Sequence, residues 1–177
     1  MTLDLPKLFD EIINCIRHLQ PDDFSSRDIL VLKLHAAMEK AGFVLNADNE
    51  KKIRDVVGIL NTKDTLSGAN SSGRPDIIAF KEGKIVLLRI RINGNINSGT
   101  VDVEKFREYK RAGAGDIAVL INANPRGESF TAGLSESFLG VWKNNYLHEI
   151  VITTGKQKLK IAAISFDGKG RQVRTNY

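Results

Sequence analysis

The stretch Gly73–Ile92, GRPDIIAFKEGKIVLLRIRI, constrains the fold of this chain more than any other. Two apolar runs, Ile77 to Phe80 and Ile85 to Ile92, flank the short polar centre Lys81-Glu82-Gly83-Lys84. Runs rich in Ile, Val and Leu around a glycine-bearing gap predict a β-hairpin. With Glu82-Gly83 as the two turn residues, Lys81 faces Lys84, Phe80 faces Ile85, Ile78 faces Leu87 and Asp76 faces Arg89. Side chains alternate along a strand, so Arg89 and Arg91 share a face. The hairpin therefore gathers one carboxylate and two guanidinium groups in otherwise apolar strands. At its plainest, Asp76 and Arg89 form a cross-strand ion pair at a sheet end.

The chain has 177 residues, 42% of them hydrophobic, which suits one domain with an ordinary core. The expected layout is a single domain over 1–177, with an N-terminal helix in 1–24, an α/β core over 26–166 and a basic tail over 167–177. A net charge of +5 and a pI near 9.3 lean toward polyanionic partners. A single cysteine, Cys15, excludes an internal disulfide and a multi-cysteine zinc site. It lies among Ile12, Ile13 and Ile16 and reads as a small buried hydrophobe. His18, His35 and His148 are far apart, with no ligand spacing. No apolar run approaches the ~20 residues of a membrane span. The first residues, MTLDLPKLFDE, show no basic segment leading into an apolar one. The expectation is a soluble, intracellular protein without a membrane partner.

Residues 5–19 predict a helix, with Asp4 as cap, Pro6 in the first turn and a stripe of Leu8, Phe9, Ile12, Ile16 and Leu19. A second helix runs from Ser25 or Ser26 to about Ala41. Ile29, Leu30, Leu32, Leu34, Ala37 and Met38 make it apolar on much of its circumference, which predicts a buried element. Asn46 to Leu60 predicts a helix capped by Asp48 or Asn49, with Ile53, Val56, Val57 and Leu60 inside and Lys51, Lys52 and Arg54 outside. Asn61 to Arg74 and Asn93 to Gly99 read as loops. Val101 to Ala112 follows as a helix with Val103, Phe106 and Tyr109 on one side and a basic set, Lys105, Arg107, Lys110 and Arg111. Asp116 to Ile121 reads as a strand buried on both faces, joined to the hairpin by a right-handed crossover with parallel pairing. Asn122 to Ser129 is a loop, Thr131 to Tyr146 a helix holding Leu134, Phe138, Leu139 and Trp142, and Ile150–Thr153 and Leu159–Phe166 are strands. The tail, 167–177, reads as frayed. This order gives an α/β domain with a mixed sheet.

Gly73-Arg74-Pro75-Asp76-Ile77-Ile78-Ala79-Phe80, a tight turn, a second apolar strand, a polar glycine loop, a helix and a buried strand resemble the PD-(D/E)xK nuclease superfamily. The likeness is to its small Holliday-junction-resolvase-like and VRR-NUC-type members, over about Gly73 to Ile121. The resemblance implies a restriction-endonuclease-like mixed β-sheet flanked by helices, with an N-terminal helical segment. It also implies two carboxylates holding Mg²⁺ and a lysine beside the attacking water. Asp76 matches the first acid. The hairpin register sets Arg89 where the second acid belongs and Arg91 where the lysine belongs. A guanidinium cannot ligate a cation and stays charged. Glu82-Gly83-Lys84 spells acid-any-lysine, but it lies in the turn, roughly 20 Å from Asp76 at ~3.3 Å per residue.

Three functions follow. The first is a nuclease-like protein that has lost metal catalysis, with Asp76 vestigial and no metal or other cofactor. It would bind nucleic acid, DNA first, through Arg89, Arg91, Lys105, Arg107, Lys110 and Arg111. The second is a scaffold or assembly protein reusing the fold, for which a homodimer is open. The third is an active Mg²⁺-dependent deoxyribonuclease in which Asp76 works with an acid from elsewhere, Asp28, Glu39, Asp102 or Glu104.

Overall fold

The computed structural model of the chain describes residues 4–46, 48, 50–66, 74–132, 146–155, 157–166 and 172–177. Asp4 starts helix α1 (Leu5–Arg17): its carboxylate accepts from the Lys7 amide at 2.8 Å, and Pro6 occupies the first turn. A 3₁₀ turn at Pro21–Phe24 leads into α2 (Arg27–Lys40), which Ser26 caps by accepting from the Ile29 amide at 3.2 Å. Helix α3 (Lys51–Leu66) precedes the hairpin of β1 (Ile77–Lys81) and β2 (Lys84–Ile92). Then come α4 (Ile96–Arg111), β3 (Ile117–Asn124), β4 (Leu147–Thr153), β5 (Lys160–Phe166) and β6 (Gln172–Asn176).

The six strands form one open sheet in sequential order, β1-β2-β3-β4-β5-β6. β2, β3 and β4 run parallel, and the outer strands pair antiparallel. The architecture is thus α/β with a mixed sheet, as the element order predicts. α1 and α2 cover one face, where Leu8, Ile12, Ile13, Leu30, Leu34 and Met38 pack on Val86, Leu88, Ile90, Val119 and Ile121. α3 and α4 cover the other, where Ile53, Leu60, Val103, Phe106 and Tyr109 pack on Ile85, Leu87, Ala118 and Leu120. Each fully buried aliphatic or aromatic side chain contributes about 1.5–3 kcal/mol. β3 is buried along its whole length, as expected of a strand covered on both faces.

Several expectations change. α3 continues through Asn61–Leu66, expected as loop, because no Gly or Pro interrupts that stretch. α4 begins at Ile96 instead of Val101: Asn95 is an N-cap, its Oδ1 accepting from the Ser98 amide at 3.0 Å. β3 runs on through Asn122 to Asn124, because their polar side chains find buried partners. The tail is not frayed from end to end; residues 172–176 form β6, paired along β5 by backbone hydrogen bonds although every side chain is exposed. α2 is not buried all round: Leu30, Leu34 and Met38 face the core, while Ile29 and Leu32 face solvent. Residues 133–145 of the expected helix, with Leu134, Phe138, Leu139 and Trp142, lie outside the described residues, as do 67–73 and 167–171. No helix among the described residues is long and apolar enough to cross a membrane.

Candidate functional site at the carboxyl ends of the parallel strands

The hairpin turn fixes the geometry of the site. Glu82 and Gly83 both take left-handed conformations, φ 47° and 86°, which twist the turn to match its strands. The register is the expected one, Phe80 with Ile85, Ile78 with Leu87 and Ile77 with Leu88. Asp76 lies one residue before the ladder, and its amide donates to the Leu88 carbonyl at 2.7 Å. Its Oδ2 accepts from the Ile90 amide at 2.7 Å, and its Oδ1 accepts from Arg89 Nη1 at 3.3 Å. The Arg27 guanidinium reaches the same Oδ1 from the start of α2. Asp76 is therefore held by a backbone donor and two arginines, with only 4% of its side chain exposed.

Arg89 and Arg91 project from the α3/α4 face of β2 and converge on Asp102, a residue of α4 that is fully buried. Arg89 Nε donates to Asp102 Oδ1 at 3.3 Å; Arg91 donates to both oxygens, from Nε at 2.7 Å and Nη2 at 2.9 Å. Arg89 Nη1 also donates to the Arg74 carbonyl at 3.0 Å. The Arg89 guanidinium thus bridges the two carboxylates, in the position between paired acids that a metal ion takes in a two-carboxylate site. The hydrogen bonds Arg91 donates to Asp102, with burial opposing, hold Arg91 protonated more firmly than a free arginine. Unpaired charges at this depth would be destabilising by several kcal/mol each, so the pairing is obligatory. Among the described residues no three His, Cys, Asp or Glu side chains stand together as metal ligands. A cation entering between Asp76 and Asp102 would have to displace Arg89.

A second polar cluster lies on the same face, two strands over. The row Arg89, Leu120, Glu149 crosses β2, β3 and β4, and Arg91 sits beside Asn122. Glu149 is fully buried, and the residues facing it supply neutral donors. Phe130 N donates at 2.7 Å, Asn122 Nδ2 at 3.2 Å, Thr131 Oγ1 at 2.8 Å and Thr131 N at 3.3 Å, and Ser129 Oγ donates as well. Asn122 and Asn124 both donate to the Glu128 carbonyl, at 2.7 and 2.9 Å. The segment after β3 is thereby folded onto α4, with Phe130 against Gly99, where an added Cβ would come within 2.5 Å of the Phe130 Cβ. Polar groups thus collect toward the carboxyl ends of β2 and β3, with Glu149 beside them in the first half of β4; open α/β sheets build their sites at the carboxyl ends of their strands.

The structure brings together Asp76, Arg89, Arg91 and Asp102. Asp102 shows a legible signal: an acid inside the apolar stripe that also holds Val103, Phe106 and Tyr109. Arg27 and Glu149 escaped the sequence reading, although an acid within the apolar run LHEIVIT is itself a marker. The basic residues of α4 do not form one stripe. At 100° per residue Arg107 and Arg111 lie beyond Val103 on one side of the buried face and Lys105 beyond Tyr109 on the other, while Lys110 falls within the buried sector at the helix end. Arg111 is exposed, Lys105 pairs with Glu108 at 3.4 Å, and Lys110 lies over the Tyr146 ring at 4.9 Å. Asp28 lines an open cleft of about 410 Å³ with Arg27, Val31, Leu32, His35 and Asp76. Glu39 pairs with His35 at 3.8 Å, Glu104 is exposed, and Glu82 is exposed in the hairpin turn, as its position predicts.

No family model, no curated protein and no solved structure matches the chain.

Proposed function

We propose that this is a nucleic-acid-binding protein of restriction-endonuclease-like fold in which a guanidinium has replaced the catalytic cation. The observation that carries the reading is the bridge from Arg89 to both Asp76 and Asp102. The hairpin, crossover helix and buried strand stand in the order of the PD-(D/E)xK resemblance, and Arg89 and Arg91 take the positions of its acid and lysine. Arg89 is 5% exposed with Nε and Nη1 engaged, so its part is to hold the site closed. Phosphate contact falls to the rim. Arg27 is 48% exposed at the mouth of the cluster and Arg91 is 24% exposed; Arg107, Lys110 and Arg111 lie further along α4, at its carboxyl end, and would extend the basic surface away from the cluster. The net charge of +5 supplies the long-range attraction.

The test is fluorescence anisotropy with duplex, branched and single-stranded probes, in DNA and RNA, from low to physiological salt. Binding should fall steeply with salt as counterions are released, with a slope near one per phosphate contact. Arg27→Ala and Arg111→Ala should each weaken binding and flatten that slope. Absence of binding to every probe at low salt would end the proposal. Cleavage by the parent protein in Mg²⁺ or Mn²⁺ that Asp76→Ala abolishes would establish an active nuclease instead. An assembly role for the same fold is a second reading, favoured by the apolar outer face of α2.

A further inference from the structure

Helix α2 carries an apolar seam that points away from the domain. Leu30, Leu34 and Met38 face the core, and Leu34 is fully buried. On the opposite side Leu32 is 69% exposed and Ile29 41%, followed by exposed Ala36. Ile29, Leu32 and Ala36 are spaced i, i+3, i+7, which is the a and d spacing of a coiled-coil seam. Ile29 and Ala36 take a positions, and Leu32 and Glu39 take d positions. The flanks are then fixed: Asp28 and His35 fall at g, Lys33 and Lys40 at e.

We infer that this face is a homodimer interface, in which α2 packs against α2 of a second copy, parallel and about a two-fold axis along the helices. Charge complementarity identifies the occupant and its direction. In a parallel pair each g residue meets the e residue five positions on in the other helix. Asp28 meets Lys33 of the second copy, and the symmetry repeats the pair. In an antiparallel pair e meets e, and Lys33 would face Lys40 with like charge. Leu32 meets Leu32 at the centre, and Glu39 closes the seam beside Lys40 of the second copy. Among the described residues of one chain the ion pair of Lys33 is a distant one with Asp23, at 4.0 Å, and 55% of its side chain is exposed. An exposed side chain in so long a pair can turn to the intermolecular one. Arg27 lies on the inward side of the helix, bound to Asp76, so the dimer leaves the arginine–aspartate cluster intact.

The seam spans two heptads of a 14-residue helix. That is small against the ~1,200–2,000 Å² of stable interfaces, so association in the micromolar range or weaker is expected. Sedimentation velocity of the full chain without nucleic acid, from about 1 to 500 µM, should show a monomer–dimer shift. Leu32→Glu should abolish it while leaving the melting temperature unchanged, because Leu32 is mostly solvent-exposed. Asp28→Lys should weaken the dimer, and adding Lys33→Glu should restore it. Leu32→Cys should form a disulfide-linked dimer on oxidation, since the parallel arrangement stacks residue 32 against itself. A monomer at every concentration overturns the inference, as does a dimer indifferent to Leu32→Glu. A dimer tightened by Lys33→Glu alone, without Leu32→Cys cross-linking, overturns the parallel arrangement.

Discussion

Asp102 is the sharpest place to test the reasoning. It is fully buried and accepts three hydrogen bonds from two arginines, at 2.7, 2.9 and 3.3 Å. Replacing it with alanine leaves the two guanidiniums unequal. Arg91, 24% exposed, can turn toward water and recover part of its hydration. Arg89, with 6% of its side chain exposed, cannot; it keeps Asp76 and the Arg74 carbonyl but loses the acceptor at Nε. Breaking a buried ion pair is destabilising by about 3–5 kcal/mol. Because Arg91 can relax and Arg89 retains one carboxylate, the lower end, about 3 kcal/mol, is expected for Asp102→Ala. At ~2–4 °C per kcal/mol for a chain of this size, the melting temperature should fall by about 6–12 °C. Urea unfolding followed by circular dichroism gives the free energy, and calorimetry gives the temperature. Combining Asp102→Ala with Arg89→Met should cost less than the sum of the two single changes, by more than about 1 kcal/mol, since the stranded charge goes with its partner. A loss below about 1 kcal/mol for Asp102→Ala, or strict additivity, would refute the claim that the cluster is a buried charge-compensated unit.

Gly99→Ala sets helix propensity, worth about 1 kcal/mol in favour, against a Cβ driven to within 2.5 Å of the Phe130 Cβ. Overpacking should win, leaving a net loss of about 1–2 kcal/mol by urea unfolding. Glu149→Gln puts an NH₂ where one carboxylate oxygen now accepts; it should destabilise by about 2–3 kcal/mol and raise amide exchange at Phe130 and Thr131. Glu82 sits at φ 47°, so Glu82→Asn should stabilise by about 0.5–1 kcal/mol, whereas Gly83→Ala, at φ 86°, should destabilise by about 1–2 kcal/mol. Burial pushes the Cys15 thiol above its usual ~8.5, partly offset by Lys81. Between the unfolded and folded values the unfolded chain has fewer protons bound, so stability should decline as pH rises above ~8.5. In the native protein at pH 8, iodoacetamide should label Cys15 far more slowly than in urea.

The sequence by itself determined the hairpin and its charges. Turn residues and period-two alternation are local properties, so counting outward from Glu82-Gly83 sets Asp76 opposite Arg89 and puts Arg89 and Arg91 on one face. The same locality made the caps of Asp4 and Ser26 and the stripe of α1 legible. Asp102 was readable in kind, as an acid in a buried stripe, but not in partner. Tertiary structure decided which groups meet across distance. Arg27 reaches Asp76 over 49 residues, a contact that exists only because α2 packs with its first turn at the sheet edge. Glu149 finds donors in a segment 18 to 20 residues earlier, which the pairing of β3 with β4 brings beside it. α2 gives the clearest division. Its apolar residues cover much of its circumference, so sequence could not choose its inner face. Packing against the sheet turned Leu30, Leu34 and Met38 inward and left Ile29 and Leu32 to solvent, because one side of a helix can face the sheet.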